Sequence, residues 1–568
     1  MQTHFKNWLM GATIILFASC NKPNTQGKYI PREAAFVVQI NGKNLSSKLP
    51  WNDVKKNPLF KDAELDNSIP TAMKQALNNP DSSGIDVNAD LVFFALKDSM
   101  GGYIAFEGSV KNEKLFNTFN TQLNDSTKQV TKDGVTFITK KSFCAGYTKD
   151  KFVYIFDAPQ MQNTSEKKQD VSRLSVGKFR DVTSTCQEIF KLDEDISLAR
   201  NERFSKMLKE NGDIHFWING ESLMTGVSGN PMMAMIDVGK FYKGSIITST
   251  INFENGKILM DVKGFVEDDF AKIYKKYSGG KVSDDMLKRL PGKDIAAVLA
   301  LNFNPEVIRE FLKMMSMDGV VNMGLAKVGF TLDDFIKANK GDILIGASDL
   351  KFKKDSSKNN NGKKDETSAN IKPNFKYVFA SSIANKDAFN KLINAGKKLG
   401  AEKLSDSSKA QFAYKSDGTY FTFSNTQDNA DKFIAGTNSN IDFINKINGQ
   451  PFGAYINIHI FLTAFFNPDN IKDSSDKALY DASIKLWDNV YIKGGAINSD
   501  DAITQTVEIN MVDKTTSSLK QLNTYAVQLA EIYKIKRAKN KMSETTVDPT
   551  LAIPDSTKHA AAKAKKNR

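Results

Sequence analysis

Residues that build most catalytic and metal sites are scarce in this sequence. The 568 residues include four histidines and three cysteines. Metal ions need several converging His, Cys or carboxylate groups, yet no C-x-x-C or H-E-x-x-H spacing occurs. Phosphate-binding G-x-x-x-x-G-K-[ST] loops and dinucleotide-binding G-x-G-x-x-G turns are also missing. We therefore predict no cofactor, no metal and no catalytic residue, and we interpret His215 and His459 as structural residues of strand-like runs.

Long apolar runs are also rare, and the one near the N-terminus is short. It extends from Trp8 to Ala18, about eleven residues, whereas a transmembrane helix needs about twenty. Lys6 precedes the run, and Phe17-Ala18-Ser19-Cys20 follows it, which is typical of a secretory signal that ends in a lipobox. We predict that residues 1–19 are a lipoprotein signal peptide and that Cys20 is acylated. The alternative is an ordinary signal peptide with a chance cysteine.

Acylation of Cys20 would hold the chain at a membrane. Each buried methylene group of an acyl chain adds about 0.8 kcal/mol of membrane affinity. Residues 20–28 would then be the acylated cysteine and a polar tether. The residues after Cys20 lack the acidic pair of surface-export signals in bacteroidete lipoproteins. We therefore predict a cell-envelope location, at the outer membrane and facing the periplasm.

Positive charge is concentrated at the C-terminus. The net charge is +13, and residues 534–568 contain ten Lys or Arg and only three acidic residues. This segment is rich in Lys, Ala, Thr and Pro, so we predict a basic, largely disordered tail. The sequence has no aromatic and basic strip of the kind that single-strand binders use. We predict no nucleic-acid partner; the partners that remain are the membrane, through the anchor, and an envelope protein or polymer.

Two cysteines remain once Cys20 is acylated. An exported protein enters an oxidising compartment, where Cys144 and Cys186 are candidates for a disulfide. The alternative is a pair of buried free thiols.

The sequence contains an internal repeat. Ile30–Asn41 resembles Leu290–Asn302, because each has a proline, a polar pair and an apolar strand that ends in asparagine. Four further matches follow in the same chain order: Ala89–Phe93 with Gly341–Ile345, Gly108–Asn117 with Ser381–Asn390, Asn211–Asn219 with Asn448–Asn457, and Ile251–Asn252 with Ile497–Asn498. The alternative is chance similarity between alternating strands.

The spacing of the matches supports a duplication with surface insertions. The second members lie 261, 252, 273, 238 and 246 residues after the first. The increase from 252 to 273 coincides with a polar insert at 351–372, whose Lys, Asn, Ser and Asp residues cannot form a core. We predict a first copy at 29–268, a connecting helix or linker at 269–288 and a second copy at 289–533.

Within each copy, strand and helix patterns are mixed. Asp133-Gly134, Asn255-Gly256 and Asp417-Gly418 lie between alternating apolar runs and predict tight hairpins, which join antiparallel strands. Asn112 and Asn385 stand where helix N-caps are expected. A last helix is predicted from Ser517 to Ala538. The fold class is α+β, with antiparallel sheets that carry helices.

The segment after the lipobox resembles a known family. Tyr29-Ile30-Pro31-Arg32-Glu33-Ala34-Ala35-Phe36-Val37-Val38, followed by Ile40-Asn41-Gly42-Lys43-Asn44-Leu45-Ser46-Ser47-Lys48, is similar to bacteroidete lipoproteins of the Domain of Unknown Function 4836 family. This resemblance implies an envelope lipoprotein and brings no catalytic residues with it.

Three functions remain open from the sequence. The first is a non-enzymatic envelope protein that binds a partner or plays a structural role. The second is a carrier of a lipid or other hydrophobic ligand, and the third is an envelope polysaccharide or peptide hydrolase. Short Asp-Ser motifs also suggest O-glycosylation at Ser99, Ser126 and Ser556.

Overall fold

A computed structural model describes residues 25–66, 68–123, 127–159, 161–163, 174–176, 178–224, 242–292, 294–355, 370–403, 413–436 and 442–545. In these ranges the strands are β1 (Phe36–Ile40), β2 (Leu91–Leu96), β3 (Tyr103–Ser109), β4 (Lys128–Lys132), β5 (Val135–Lys140), β6 (Phe143–Tyr147), β7 (Lys151–Asp157), β8 (Met161–Asn163), β9 (Leu174–Val176), β10 (Ile214–Asn219), β11 (Ile246–Glu254), β12 (Lys257–Phe265), β13 (Ile295–Asn302), β14 (Asn339–Asp355), β15 (Asn370–Ile383), β16 (Ala413–Ser416), β17 (Tyr420–Ser424), β18 (Phe452–Asn457), β19 (Trp487–Ile497) and β20 (Ile503–Met511).

Helices connect many of these strands. They are α1 (Gly42–Lys48), α2 (Trp51–Val54), α3 (Pro58–Leu65), α4 (Thr71–Asn78), α5 (Glu113–Leu123), α6 (Val182–Phe190), α7 (Glu202–Leu208), α8 (Gly220–Met224), α9 (Asp268–Tyr277), α10 (Asp284–Lys288), α11 (Glu306–Met314), α12 (Asp318–Ala326), α13 (Leu332–Ala338), α14 (Lys386–Lys403), α15 (Gln427–Ala435), α16 (Ile444–Ile447), α17 (Ile458–Phe466), α18 (Ser474–Leu486) and α19 (Ser518–Thr545). Helices combined with a large antiparallel sheet confirm the predicted α+β class.

Eighteen strands form one antiparallel sheet. The pairings give the order β4-β5-β6-β7-β3-β2-β1-β10-β11-β12-β20-β19-β18-β13-β14-β15-β17-β16. In this order, the ten strands from β4 at one edge to β12 come from the first half of the chain, and the eight strands from β20 to β16 at the other edge come from the second half. The two halves therefore meet only once within the sheet, at the pairing of β12 with β20.

The sheet has two faces, which we define by residues of β1. Opposed residues in an antiparallel pair share a face, and side chains alternate along each strand. Face A carries Val37 and the residues in line with it, and face B carries Phe36 and Val38.

Face A is covered by helices in both halves. In the first half, Val37, Phe94 and Trp217 pack against residues of α6 and α7. In the second half, Val298, Leu344, Val378 and Tyr455 pack against residues of α10, α15 and α16. Two separate hydrophobic cores result, one on each side of the central strands.

Face B is covered mainly toward its ends. Phe116 of α5 packs against Phe152 and Tyr154 of β7. In the second half, Ala388 and Phe389 of α14 form a cluster with Ile383. Between these clusters lie the central strands β11, β12, β20 and β19, which position the candidate site.

Local sequence signals explain several of these elements. Asn112 Oδ1 accepts a hydrogen bond from Leu115 N at 3.0 Å, and Asn385 Oδ1 accepts one from Ala388 N at 2.9 Å, as N-caps do. Gly134, Gly256 and Gly418 have φ values of 76°, 67° and 84°, the left-handed region that tight hairpins require.

Two predicted element boundaries need correction. The C-terminal helix α19 continues to Thr545 rather than ending at Ala538. One residue beyond the predicted end, Lys539 lies 3.4 Å from Asp473, the N-cap of α18. The polar insert at 351–372 is partly strand, because β14 and β15 pair as far as Asp355 and Asn370. Residues 356–369 and the tail after Thr545 lie outside the described residues.

Candidate functional site

The central strands β11, β12, β20 and β19 carry different chemistry on the two faces of the sheet. One row on face A consists of Thr250, Asp261, Thr506 and Lys493, whereas the adjacent row on face B consists of Ile251, Met260, Val507 and Ile492. On face A the polar groups bond to each other, for example Thr506 Oγ1 to Asp261 Oδ1 at 2.8 Å. A sheet with one polar and one apolar face normally buries the apolar one.

Face B is nevertheless only half-buried. Large apolar side chains with exposed fractions from 36% to 46% stand on it in both halves: Phe36, Ile104, Phe156, Ile247, Ile345 and Ile456. A contiguous exposed apolar surface is typical of a site for a ligand, a membrane or another protein. This face is therefore the first candidate site.

A groove of about 580 Å³ runs along face B where the two halves meet. Its lining includes Ile218, Ile247, Val262 and Ile503 from four neighbouring strands, and Gly264 lies between Ile247 and Ile503 in one cross-strand row. From α8, Leu223 and Met224 also contribute, with Leu223 51% exposed. Small-molecule sites usually have such volumes and mostly apolar linings.

A second cavity, of about 480 Å³, lies on face A and is polar. Glu107 of β3 lines it and is only 2% exposed, and its Oε2 has no hydrogen-bond partner among the described residues. Burial raises the pKa of Glu107 to about 8, although Lys151 nearby lowers it. The carboxyl group is therefore largely protonated at neutral pH.

His215 lies three strands from Glu107 in the same face A row, with Val92 and Gln39 between them. Its Nδ1 is 2.6 Å from Gln39 Oε1, and its Nε2 is 3.1 Å from the Glu210 carbonyl oxygen. Burial lowers the pKa of His215, against an opposing effect of Glu210. The imidazole is buried and hydrogen-bonded in a strand, as predicted; its structural role stays a prediction.

His459 does not lie in a strand, so that part of the prediction is wrong. It belongs to α17, whose N-cap is Asn457; the Asn457 side chain accepts a hydrogen bond from Ile460 N at 3.1 Å. The periodicity of a short apolar run does not distinguish a strand from a buried helix. Here the Asn457 cap shows that a helix begins at Ile458.

Cys144 and Cys186 are both buried in the core of the first half. Contact with the Cys144 thiol, together with burial, raises the pKa of Cys186 well above its usual value. The two thiols are thus neighbours, and both are free in this structure. A disulfide between them stays a prediction.

We expect this disulfide to form only during folding in an oxidising compartment. Thiolates, not thiols, attack disulfides, and the raised pKa leaves little thiolate once α6 has packed on the sheet. Protein recovered after export should therefore resist alkylation when unfolded, whereas the body from Asn21 onward, made in a reducing compartment, should take up two labels, at Cys144 and Cys186. The same body with Cys186→Ser has one thiol and is the control; two labels on the exported wild-type protein would contradict the prediction.

The remaining predicted site residues divide into two groups. Cys20, Ser126 and Ser556 lie outside the described residues. Ser99 is exposed in the turn between β2 and β3, so modification there stays a prediction. No group of three or more His, Cys, Asp or Glu suited to a metal ion occurs within the described part of the chain. None of the helices it contains is long and apolar enough to cross a membrane.

A third cleft, of about 1180 Å³, lies beside α17 and is lined by residues of mixed character. Lys376 and Asp349 in its lining form an ion pair at 2.7 Å. Paired surface charges of this kind contribute little. His459 also lines the cleft, and its buried Nε2 has no hydrogen-bond partner among the described residues.

Sequence reasoning missed the groove and the Glu107 cavity. The groove residues come from strands far apart in the chain, and alternation alone does not reveal which face stays open. Glu107 had a local signal, because it is the one charged residue in Tyr103–Ser109, an otherwise apolar or small-residue strand. A lone acid in such a run indicates burial or function.

Comparison with known proteins identifies a family but no activity. The model of the family described as Domain of unknown function (DUF4836) matches residues 27–442. No curated protein matches the sequence significantly. Two solved structures, crystal forms IV and I of TP0453, are similar at 11% and 10% identity over 46% and 44% of this chain and 88% and 80% of theirs, with TM-scores of 0.26 and 0.25. Likeness at that level carries no argument about this chain.

Proposed function

The chain belongs to the DUF4836 family, a domain of unknown function, and from this premise we propose that it is a lipid-anchored, non-enzymatic envelope protein that binds the acyl chain of a lipid in the face B groove. The observation that carries this proposal is the apolar, half-exposed face B, which on the central strands β11, β12, β20 and β19 lies opposite a polar row of face A. Of the three functions open from the sequence, this geometry favours the hydrophobic-ligand carrier.

The groove suits an acyl chain better than a polar ligand. The lining contains no charged residue, and Ile218, Ile247, Val262 and Ile503 give it a continuous apolar floor, with Gln505 as a polar strand residue beside Val262. Removing apolar surface from water contributes about 25 cal/mol per Å², so a long hydrocarbon chain gains affinity along the whole groove. The nearby half-exposed residues of face B would extend the contact beyond the groove itself.

We also infer that the two halves are copies of one ancestral unit. From β12 outward the strand order is β12-β11-β10-β1-β2-β3-β7, and from β20 outward it is β20-β19-β18-β13-β14-β15-β17. In the first half, Val37 pairs with Phe94 on one side and with Trp217 on the other. Adding the sequence offsets of 261, 252 and 238 residues to Val37, Phe94 and Trp217 gives Val298, Gly346 and Tyr455, which pair with each other in the same way. The shared pairing register supports duplication over chance similarity of alternating strands.

The anchor and location belong to the same proposal. An acylated Cys20 would hold the body at the outer membrane on its periplasmic side, where lipids are the abundant hydrophobic ligands. The proposal rests on the lipobox for the anchor and on the groove for the ligand, so one can fail without the other.

The first test is to identify what the native protein carries. The mature protein, purified after export from its own host, would be analysed by native mass spectrometry and by lipid extraction. We expect a stoichiometric acyl-chain lipid, and the intact mass of the same preparation reports whether Cys20 is acylated. A clean, unliganded body that also fails to bind a dansyl-labelled fatty acid would overturn the carrier function.

A groove-filling variant, Gly264→Phe, should weaken binding of the dansyl-labelled fatty acid by about tenfold or more. A Cβ atom at Gly264 would have Ile503 O at 3.8 Å as its nearest neighbour, so a side chain can enter the groove without a backbone clash. Fluorescence titration measures the effect. The matched control is Lys493→Phe, which adds the same ring to face A of β19 and should bind normally. Equal affinity in both variants would place the fatty acid elsewhere.

A further inference from the structure

The polar cavity on face A is built like a second binding site. The ends of β1, β2, β3 and β7 line its rim with Asn41, Asp90, Ser109 and Lys151. Glu107 lies one row deeper. Its buried Oε2 lacks a hydrogen-bond partner among the described residues, which costs free energy. A ligand that donates a hydrogen bond at this point would complete the site.

The second half of the sheet shows that the fold does not need these polar groups. Glu107, Gln39 and His215 stand in line on face A, each at most 3% exposed. The same positions in the second half, in the corresponding pairings, are occupied by Ala380, Ala300 and Gly453. Small residues are therefore sufficient for this part of the sheet. Gln39 and His215 hydrogen-bond to each other at 2.6 Å, whereas Glu107 Oε2 has no partner among the described residues. Because such a buried group is costly, Glu107 has a reason other than folding to be kept.

The chemistry of the cavity defines the class of ligand. A protonated carboxyl group both donates and accepts hydrogen bonds, which matches a ligand hydroxyl or amide. Lys43 and Lys151 oppose a cationic ligand, and the Asp90 carboxylate, which accepts a hydrogen bond from Gln26, offsets part of the lysine charge and so reduces the attraction for an anion. Further hydrogen-bonding groups in the lining are the amides and hydroxyl of Gln26, Asn41, Asn88 and Ser109.

We propose that this cavity binds a small, neutral, hydroxyl-rich ligand such as a sugar residue, with Glu107 at its floor. The site is independent of the groove, because it lies on the opposite face of the sheet and is lined by residues of the first half only. Binding of a sugar here and of an acyl chain on face B would let one molecule contact two different components of the envelope.

The test uses three probes of one ring type and different charge: N-acetylglucosamine, glucosamine and N-acetylglucosamine phosphate. Isothermal titration calorimetry on the full mature protein measures each affinity. We expect the neutral sugar to bind at least several-fold more tightly than either charged one. No measurable binding of the neutral sugar, or tighter binding of a charged one, would overturn the proposal.

Variants then locate the site. Glu107→Ala, which introduces the residue found in the second half, should remove binding of the neutral sugar. Glu107→Gln keeps a donor and an acceptor in the same volume, so it should lose less affinity than Glu107→Ala and remains informative if the alanine variant folds poorly. Gly264→Phe alters only face B and should bind the sugar like the wild type. Unchanged binding in Glu107→Ala would show that the sugar does not occupy this cavity.

Discussion

Replacement of Arg180 by methionine should lower the free energy of unfolding by about 3–5 kcal/mol. The Arg180 side chain is 4% exposed, and its Nε donates to Asp157 Oδ1 at 2.9 Å while Nη2 donates to Asp98 Oδ2 at 2.8 Å. Asp157 is 1% exposed. The variant therefore leaves a buried carboxylate without its cation at the point where the chain leaves β7 and approaches α6.

Chemical denaturation at neutral pH measures this effect, and two variants interpret it. Arg200→Met removes a 53% exposed arginine that pairs with Asp195 and Glu194, and it should cost less than about 1 kcal/mol. The double variant Arg180→Met with Asp157→Leu removes both buried charges and should recover much of the loss. If the double variant is as unstable as the sum of its single variants, packing of the arginine stem rather than charge pairing explains the effect.

Glu107→Gln should raise the free energy of unfolding at pH 7 by about 3 kcal/mol. The pKa of Glu107 rises from 4.5 in a model peptide to about 8, chiefly because of burial and despite Lys151. Between these two pH values the folded wild-type protein holds a proton that the unfolded chain releases. Wild-type stability therefore falls as pH rises through this window, and glutamine removes that loss.

The pH dependence distinguishes this mechanism from simple repacking. Unfolding of wild type and Glu107→Gln would be compared from pH 4.5 to pH 8. We expect a small difference at the acidic end that increases steadily toward neutral pH. Glu531→Gln, at an exposed position of α19, should follow the wild type throughout. A difference that is constant with pH would mean that the Glu107 carboxyl is not protonated in the folded protein at neutral pH.

Local signals in the sequence predicted local structure well. Asn112 and Asn385 cap helices, and Gly134, Gly256 and Gly418 form left-handed turn positions. These outcomes depend on a few neighbouring atoms, so the sequence contains them directly. The family was also identifiable from residues 29–48, and the match over residues 27–442 confirms it.

Two predictions about helices are wrong. The run Ile458–Phe466, which includes His459, fits strand or helix by its apolar character alone, and the Asn457 cap that decides for helix stands two residues before His459. The predicted end of α19, Ala538, falls seven residues before Thr545, and exposed ion pairs such as Lys539–Asp473 are too weak to explain the extension.

The sequence by itself determined the α+β class, the turn and cap positions and the alternation of apolar residues along each strand. It did so because propensity, capping and side-chain alternation act over a few residues. Only the tertiary structure decided that face B stays partly exposed where β12 pairs with β20 and that Glu107 is buried beside a polar cavity. Burial depends on which elements cover a face, and that is set by packing between segments hundreds of residues apart.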